Sequence, residues 1–162
     1  MKSSIFIFLF LLVFGVSVHS EEVQESFFDW NLFKNDRGDQ MVCYLASTPI
    51  KSSSSYKNRG EPFFLVTNIE NDADEISVAS GFIFKNGNEV ELSFGSKKFY
   101  LFPYKILAWA SDKKLDIEII KEMQKSSDMV VTSVAENGKI AIDTYSLIGF
   151  RQSYQKLQKI CR

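Results

Sequence analysis

Apolar and polar residues alternate along much of this chain, and changes in their period divide it into elements. Val90, Leu92 and Phe94 alternate with Glu91 and Ser93, the pattern of an antiparallel strand with one face on a core and the other in solvent. Asn86-Gly87 and Gly95-Ser96 flank this strand; the first pair suits a type I′ hairpin turn and the second a type II′ turn. Residues 75 to 85, 88 to 94 and 97 to 102 are therefore expected as a three-stranded meander. Asn137-Gly138 repeats the signal between Met129 to Ala135 and Lys139 to Tyr145, giving a second hairpin. Upstream, Phe28, Trp30 and Leu32 alternate with Asp29 and Asn31, a turn cluster spans Asn35 to Asp39, and Met41 to Ser47 forms the next strand. Phe63-Phe64-Leu65-Val66 breaks the alternation, which predicts over Pro62 to Ile69 a central strand covered on both faces. Ser52 to Ser55 with Lys57-Asn58-Arg59-Gly60 is the most polar connection and is expected as a mobile loop.

Two segments switch to helical period. Leu115, Ile119 and Met123 recur at steps of four, with Asp112 placed to cap, which predicts a helix near residues 113 to 126. Ser146 can cap a second helix, near 146 to 160, whose stripe is Leu147, Phe150, Tyr154, Leu157 and Cys161. Its basic residues Arg151, Lys156, Lys159 and Arg162 lie toward the C-terminal end, where they complement the macrodipole. Trp30 and Trp109 sit in apolar strand patterns and are expected to be largely buried. Strands outnumber helices in this reading, and the eleven Phe, six Tyr and two Trp of residues 21–162 suit a mainly β fold with a well-filled core.

The first twenty residues have a different character. Met1-Lys2 opens a basic n-region, Ile5 to Val16 carries no polar side chain, and Ser17-Val18-His19-Ser20 offers small residues at the positions a signal peptidase reads. The apolar run is shorter than the roughly 20 residues a spanning helix needs, so cleavage is expected rather than anchoring. Residues 1–20 are thus read as a signal peptide and 21–162 as one exported domain, periplasmic or secreted. Loss of Lys2 with the leader takes the net charge from −1 to −2, which offers no electrostatic footprint for nucleic acid or anionic lipid. Two cysteines, Cys43 and Cys161, allow a single intramolecular pairing in an oxidising compartment. They are read as a disulfide stapling the terminal helix to the second strand of the sheet.

Cleavage after Ser20 would also remove His19, the chain's one histidine, and with it Ser-His-Asp, Cys-His and His-zinc chemistry. Ser-x-x-Lys spacing occurs at Ser54/Lys57, Ser111/Lys114 and Ser153/Lys156, close to what chance supplies in a chain so rich in both residues. Glu89 and Glu91 share the solvent face of a strand. Asn71, Asp72, Asp74 and Glu75 form a polar turn without the glycine and distal glutamate of a calcium loop. The chain is accordingly expected to be non-catalytic, with no cofactor and no metal. Phe99 to Tyr104 could form an aromatic platform, and Lys57, Arg59, Tyr100 and Tyr104 are the candidate interaction residues.

The order of these landmarks resembles one family. Phe28-Asp29-Trp30, Cys43-Tyr44-Leu45-Ala46-Ser47, Tyr56-Lys57-Asn58-Arg59-Gly60-Glu61-Pro62, Ala108-Trp109-Ala110 and Tyr145-Ser146-Leu147-Ile148-Gly149-Phe150 with a closing Cys161 follow the sequence of features in the bacterial invasion associated locus B proteins. The resemblance implies an immunoglobulin-like antiparallel β-sandwich with two peripheral helices, an extracytoplasmic address, and an association with host-cell invasion in some members. It supplies no catalytic residues. The implied function is binding of an envelope or host protein; the alternative is a periplasmic binder of a small hydrophobic or sugar ligand near Phe99 to Tyr104.

Overall fold

The computed structural model describes residues 23–36, 41–69 and 73–161. The expected signal segment, the centre of the turn after Asn35, and Asn71 and Asp72 lie outside the described residues. The elements are β1 (Val23–Phe27), β2 (Trp30–Asp36), β3 (Met41–Ser47), β4 (Lys51–Ser54), β5 (Phe63–Ile69), β6 (Glu75–Ala79), β7 (Val90–Phe94), β8 (Lys97–Tyr104), β9 (Leu107–Trp109), α1 (Lys113–Met123), β10 (Asp128–Val134), β11 (Ile140–Ser146) and α2 (Phe150–Ile160). The strands form one antiparallel sheet in the order β1-β2-β3-β5-β6-β9-β8-β7-β10-β11-β4, curled into two layers. The corner is β8, whose Lys97 to Leu101 pair with β7 and whose Phe102 to Tyr104 pair with β9. Strands that change layers in this way turn the corners of β-sandwiches.

Between the layers, alternation is satisfied from both sides. Trp30 and Leu32, Cys43 and Leu45, Phe64 and Val66, and Ile76 and Val78 point inward at 0 % exposure from the larger layer. Leu92, Val131 and Tyr145 meet them from the smaller one. Phe64 packs edge-on against Tyr145, and the Trp30 indole N–H donates to the Ser146 carbonyl at 3.0 Å. The core is thus mainly β, as the aromatic content implied.

The helices close the open end. Asp112 caps α1 as expected, its carboxylate accepting from the Lys114 and Leu115 N–H groups, and Ile119, Ile120 and Met123 join the core. Helix α2 lies on the inner face of β2 and β3, with Phe150 against Trp30 at a ring separation of 4.8 Å. Cys43 and Cys161 are bonded, with Cα atoms 6.1 Å apart. This helix begins later than Ser146, whose hydroxyl instead accepts from the Ile148 N–H. Gly149, at φ +89°, holds the cap position without a side chain. A Cβ there would stand 2.1 Å from the Phe27 carbonyl oxygen, so the β1–β2 turn approaches too closely for any residue but glycine.

Several local expectations give way to tertiary pairing. Asn86-Gly87 makes a turn, closed by the Asn88 N–H on the Lys85 carbonyl, but only Gly87 has positive φ, and β6 and β7 are not neighbours. The expected meander is therefore reduced to the β7–β8 hairpin, whose Gly95 at φ +60° fits a type II′ loop. The β10–β11 hairpin turns through Glu136, Asn137 and Gly138, with only Gly138 at positive φ, so its turn is not type I′. The serine run is no loop: Lys51 to Ser54 form β4, paired with β11 from Thr144 to Ala141. A polar side-chain pattern does not oppose a short edge strand, since β11 supplies the backbone hydrogen bonds. Trp30 is buried as expected, whereas Trp109 is only partly buried, because it points to the outer face of the sheet.

Where β9 stops at Trp109, α1 completes the pairing of β6: the Ile76 N–H donates to Asp116 Oδ1 at 2.9 Å. Burial, with Glu75, Asp112 and Asp74 adding negative charge, raises this carboxyl from 3.8 to about 6. The unfolded carboxyl ionises near 3.8 and the folded one near 6, so between those values the folded state holds more protons and stability falls as pH rises. Asp116→Asn keeps the acceptor and removes the charge. It is expected to raise stability at pH 7 by on the order of 1–2 kcal/mol and to flatten the pH 4 to 6 limb in denaturant titrations.

Candidate interaction surface

The inward residues of the larger layer cover the core, and their outward neighbours are also apolar. On β2 and β3, Phe33 and Tyr44 stack at 4.7 Å between ring centroids. Ala46 pairs with Leu65, Leu65 with Ser77, Ser77 with Trp109 and Trp109 with Phe102, so one row of outward side chains crosses five strands. A parallel row runs from Phe63 through Ala79 to Leu107 and Tyr104. The two helices and the smaller layer all pack on the other side of this layer. The double apolar pattern of Phe63 to Val66 is thus real, but only one of its faces is covered by described residues. At the far end Phe102 is 61 % and Tyr104 57 % exposed. Two open grooves lie on this face: one of about 410 Å3 lined by Phe33, Tyr44, Ala46, Phe63, Leu65 and Thr67, and one of about 360 Å3 that includes Phe63, Ala79, Gly81, Ile83 and Ile106.

The four candidate interaction residues do not form one site. Tyr104 belongs to this face. Tyr100 is about half exposed, beside Glu91 on the outer face of the smaller layer, and Lys57 is exposed in the loop before β5. Arg59 departs from the expectation of a solvated cation. Its side chain is 10 % exposed and forms a fork-to-fork ion pair with Asp143, which is fully buried. One guanidinium nitrogen donates to Asp143 Oδ1 at 2.9 Å and also to the Ser52 hydroxyl at 2.9 Å, Nε donates to the Ser80 carbonyl at 2.5 Å, and the cation lies over the Phe82 ring. Ser52 in turn donates to Asp143. The physical reason is that Asp143 sits inward on β11 and requires a cation, and the tight approach of Gly60 to Gly81 folds the loop so that Arg59 reaches it. Arg59 is therefore a structural clasp and not part of an accessible surface. Next to it, burial and the Asp143 charge push the Tyr145 phenol well above its ordinary range.

Several of the residues considered for chemistry are otherwise engaged, while Ser54 and Glu89 are exposed. Ser52 is committed to Asp143, whose two oxygens are held by Arg59. The Ser153 hydroxyl donates to the Phe150 carbonyl inside α2, and Ser111 donates to the capping Asp112. Asp74 accepts from Asn68, Tyr154 and Gln158, tying the β5–β6 connection to α2. Among the described residues no group of three or more His, Cys, Asp or Glu side chains is placed to hold a metal ion. No helix among them is long and apolar enough to cross a membrane.

A family model for the invasion associated locus B (IalB) proteins matches residues 30–158. The chain belongs to this family. Its fold is similar to the crystal structure of invasion associated protein B from Bartonella henselae, with a TM-score of 0.58 over 84 % of this chain and 96 % of that one at 13 % identity, a likeness of fold alone. No curated protein matches the sequence. The expected IalB assignment and the mainly β, disulfide-stapled architecture both hold. The IalB match spans Trp30, Cys43 on β3, α2 as far as Gln158, and the apolar outer face.

Proposed function

We propose that this IalB-family chain is an exported, non-catalytic protein that binds another protein of the bacterial envelope or the host through the outer face of its larger layer. The observation that carries this reading is that face itself: two rows of apolar side chains on a central sheet, uncovered by any described residue, which in soluble proteins mark an interaction surface. Export is supported by the leader-like first twenty residues and by the Cys43–Cys161 bond, since disulfides persist in oxidising compartments. Small-ligand binding is the second reading, favoured by groove volumes within the usual range for ligands. Both grooves are open, however, and a small molecule there would keep much of its surface wet.

A double charge substitution, Phe102→Glu with Tyr104→Glu, tests the first reading. Both side chains are exposed, so the melting temperature should stay within about 2 °C of the parent, a shift of a few tenths of a kcal/mol. Recovery of a protein partner from native envelopes should fall at least about tenfold, the equivalent of 1.4 kcal/mol. Equal recovery by the two proteins would remove this face from consideration.

A further inference from the structure

We infer that Asn86 is a site of spontaneous deamidation, converted through a succinimide to aspartate and isoaspartate, and that the fold protects Asn137 from the same reaction. Both asparagines precede a glycine, and these are the two Asn-Gly pairs in the chain. In this reaction the backbone nitrogen of the following residue loses its proton to hydroxide or a buffer base and attacks the side-chain carbonyl carbon. The new N–C bond closes the ring, the bond from that carbon to Nδ2 breaks, and Nδ2 takes up a proton and leaves as ammonia. Water then opens the ring at either carbonyl. One opening gives aspartate; the other reroutes the main chain through the side chain and gives isoaspartate. Glycine favours ring closure because it has no Cβ to crowd the attack and its backbone turns freely.

Exposure and space do not separate the two pairs. All four residues are exposed, and a Cβ at Gly87 or at Gly138 would meet no atom within 4 Å. Hydrogen bonding does separate them. In the β10–β11 turn the Gly138 N–H donates to the Ala135 carbonyl at 2.7 Å, and Asn137 Oδ1 accepts from the Lys139 N–H at 3.1 Å. The attacking nitrogen is therefore held by its proton to a carbonyl, and the carbon it would attack is fixed by its own oxygen. The Ala135 N–H donates to the Lys139 carbonyl at 2.8 Å across the same turn, so neither bond is released by a local swing. In the turn before β7 the Asn88 N–H donates to the Lys85 carbonyl at 3.3 Å. Gly87 lies inside that turn, and among the described residues no hydrogen bond holds its N–H or the Asn86 side chain. A hydrogen bond that must break before the ring can close slows the reaction by up to about tenfold. Asn137 has two such bonds to break, and Asn86 has none among the described residues. The product carries a new carboxylate close to exposed Glu89, and isoaspartate adds one main-chain carbon to the turn.

The test incubates the full, oxidised protein in warm, mildly alkaline buffer and follows its tryptic peptides by mass spectrometry, with a fragmentation method that distinguishes isoaspartate from aspartate. Lys85, Lys97, Lys125 and Lys139 place the two asparagines on separate peptides, and fragmentation separates Asn86 from Asn88. Aspartate and isoaspartate should accumulate at Asn86 at least about tenfold faster than at Asn137. In reduced protein held in urea the turns are lost, and the two rates should converge to within about twofold. Equal rates in the folded protein, faster conversion of Asn137, or no isoaspartate at Asn86 would overturn the inference. So would a difference that survives in urea, because the fold would then not be its cause.

Discussion

Replacing Arg59 by alanine is expected to destabilise the protein by about 3–5 kcal/mol, the range seen when one partner of a buried ion pair is removed. Asp143 would remain at 0 % exposure with the Ser52 hydroxyl as its remaining side-chain donor among those described, and the desolvation of an unpaired carboxylate is the dominant cost. Removing both charges, as Arg59→Met with Asp143→Leu, should recover most of that loss, because apolar pairs of similar volume often replace buried ion pairs with little penalty. Urea denaturation of the parent, the single variant and the double variant measures all three. A loss below about 1 kcal/mol for Arg59→Ala would place the pair among ordinary surface salt bridges.

Loss of the Cys43–Cys161 bond should have an effect of similar size. The two residues are 118 positions apart, and closing so long a loop restricts the unfolded chain by about 4–5 kcal/mol in the chain-entropy model, with measured values for native disulfides of about 2–5 kcal/mol. Cys161→Ser, or reduction of the parent, should therefore lower the denaturation midpoint steeply. The reduced protein should keep its β-sheet circular dichroism below that midpoint, because Phe150 and Leu157 still bury α2 against the core. Identical midpoints for oxidised and reduced protein would show that the staple contributes nothing.

Features encoded by neighbouring residues were legible in the sequence. Val90 to Phe94 with Gly95-Ser96, the Asp112 cap and the stripe of α2 each carry their cause within a few positions. The disulfide was legible because two cysteines allow one pairing. What could not be read depends on distant partners. Nothing in Lys51 to Ser54 announces a strand until β11 supplies its hydrogen bonds, and Arg59 is polar and flanked by turn residues until its carboxylate arrives from 84 positions away. The start of α2 was misplaced because the approach of Phe27 to Gly149 outweighs the capping preference of Ser146. The apolar outer face is an intermediate case. Consecutive apolar residues at Phe63 to Val66 predicted a strand covered on both faces, whereas described residues cover only one of them, because a sequence shows that a face is apolar and not what lies against it.

The continuous sheet has a consequence for how the protein survives at high concentration. Among the described residues, eleven strands in one sheet leave two borders without a further strand, β1 and β4. A border strand with free N–H and C=O groups is a template for polymerisation. β4 is four residues long, opens on Lys51 and otherwise presents serines. β1 is five residues long, breaks register between Val23 and Glu25, and has its Glu25 carboxylate paired with Lys156 of α2 at 2.7 Å. Short length, charge and a bulge are the devices by which natural sheets resist end-to-end stacking. A chain whose larger layer leaves an apolar face uncovered by described residues thus withholds its strand borders from copies of itself.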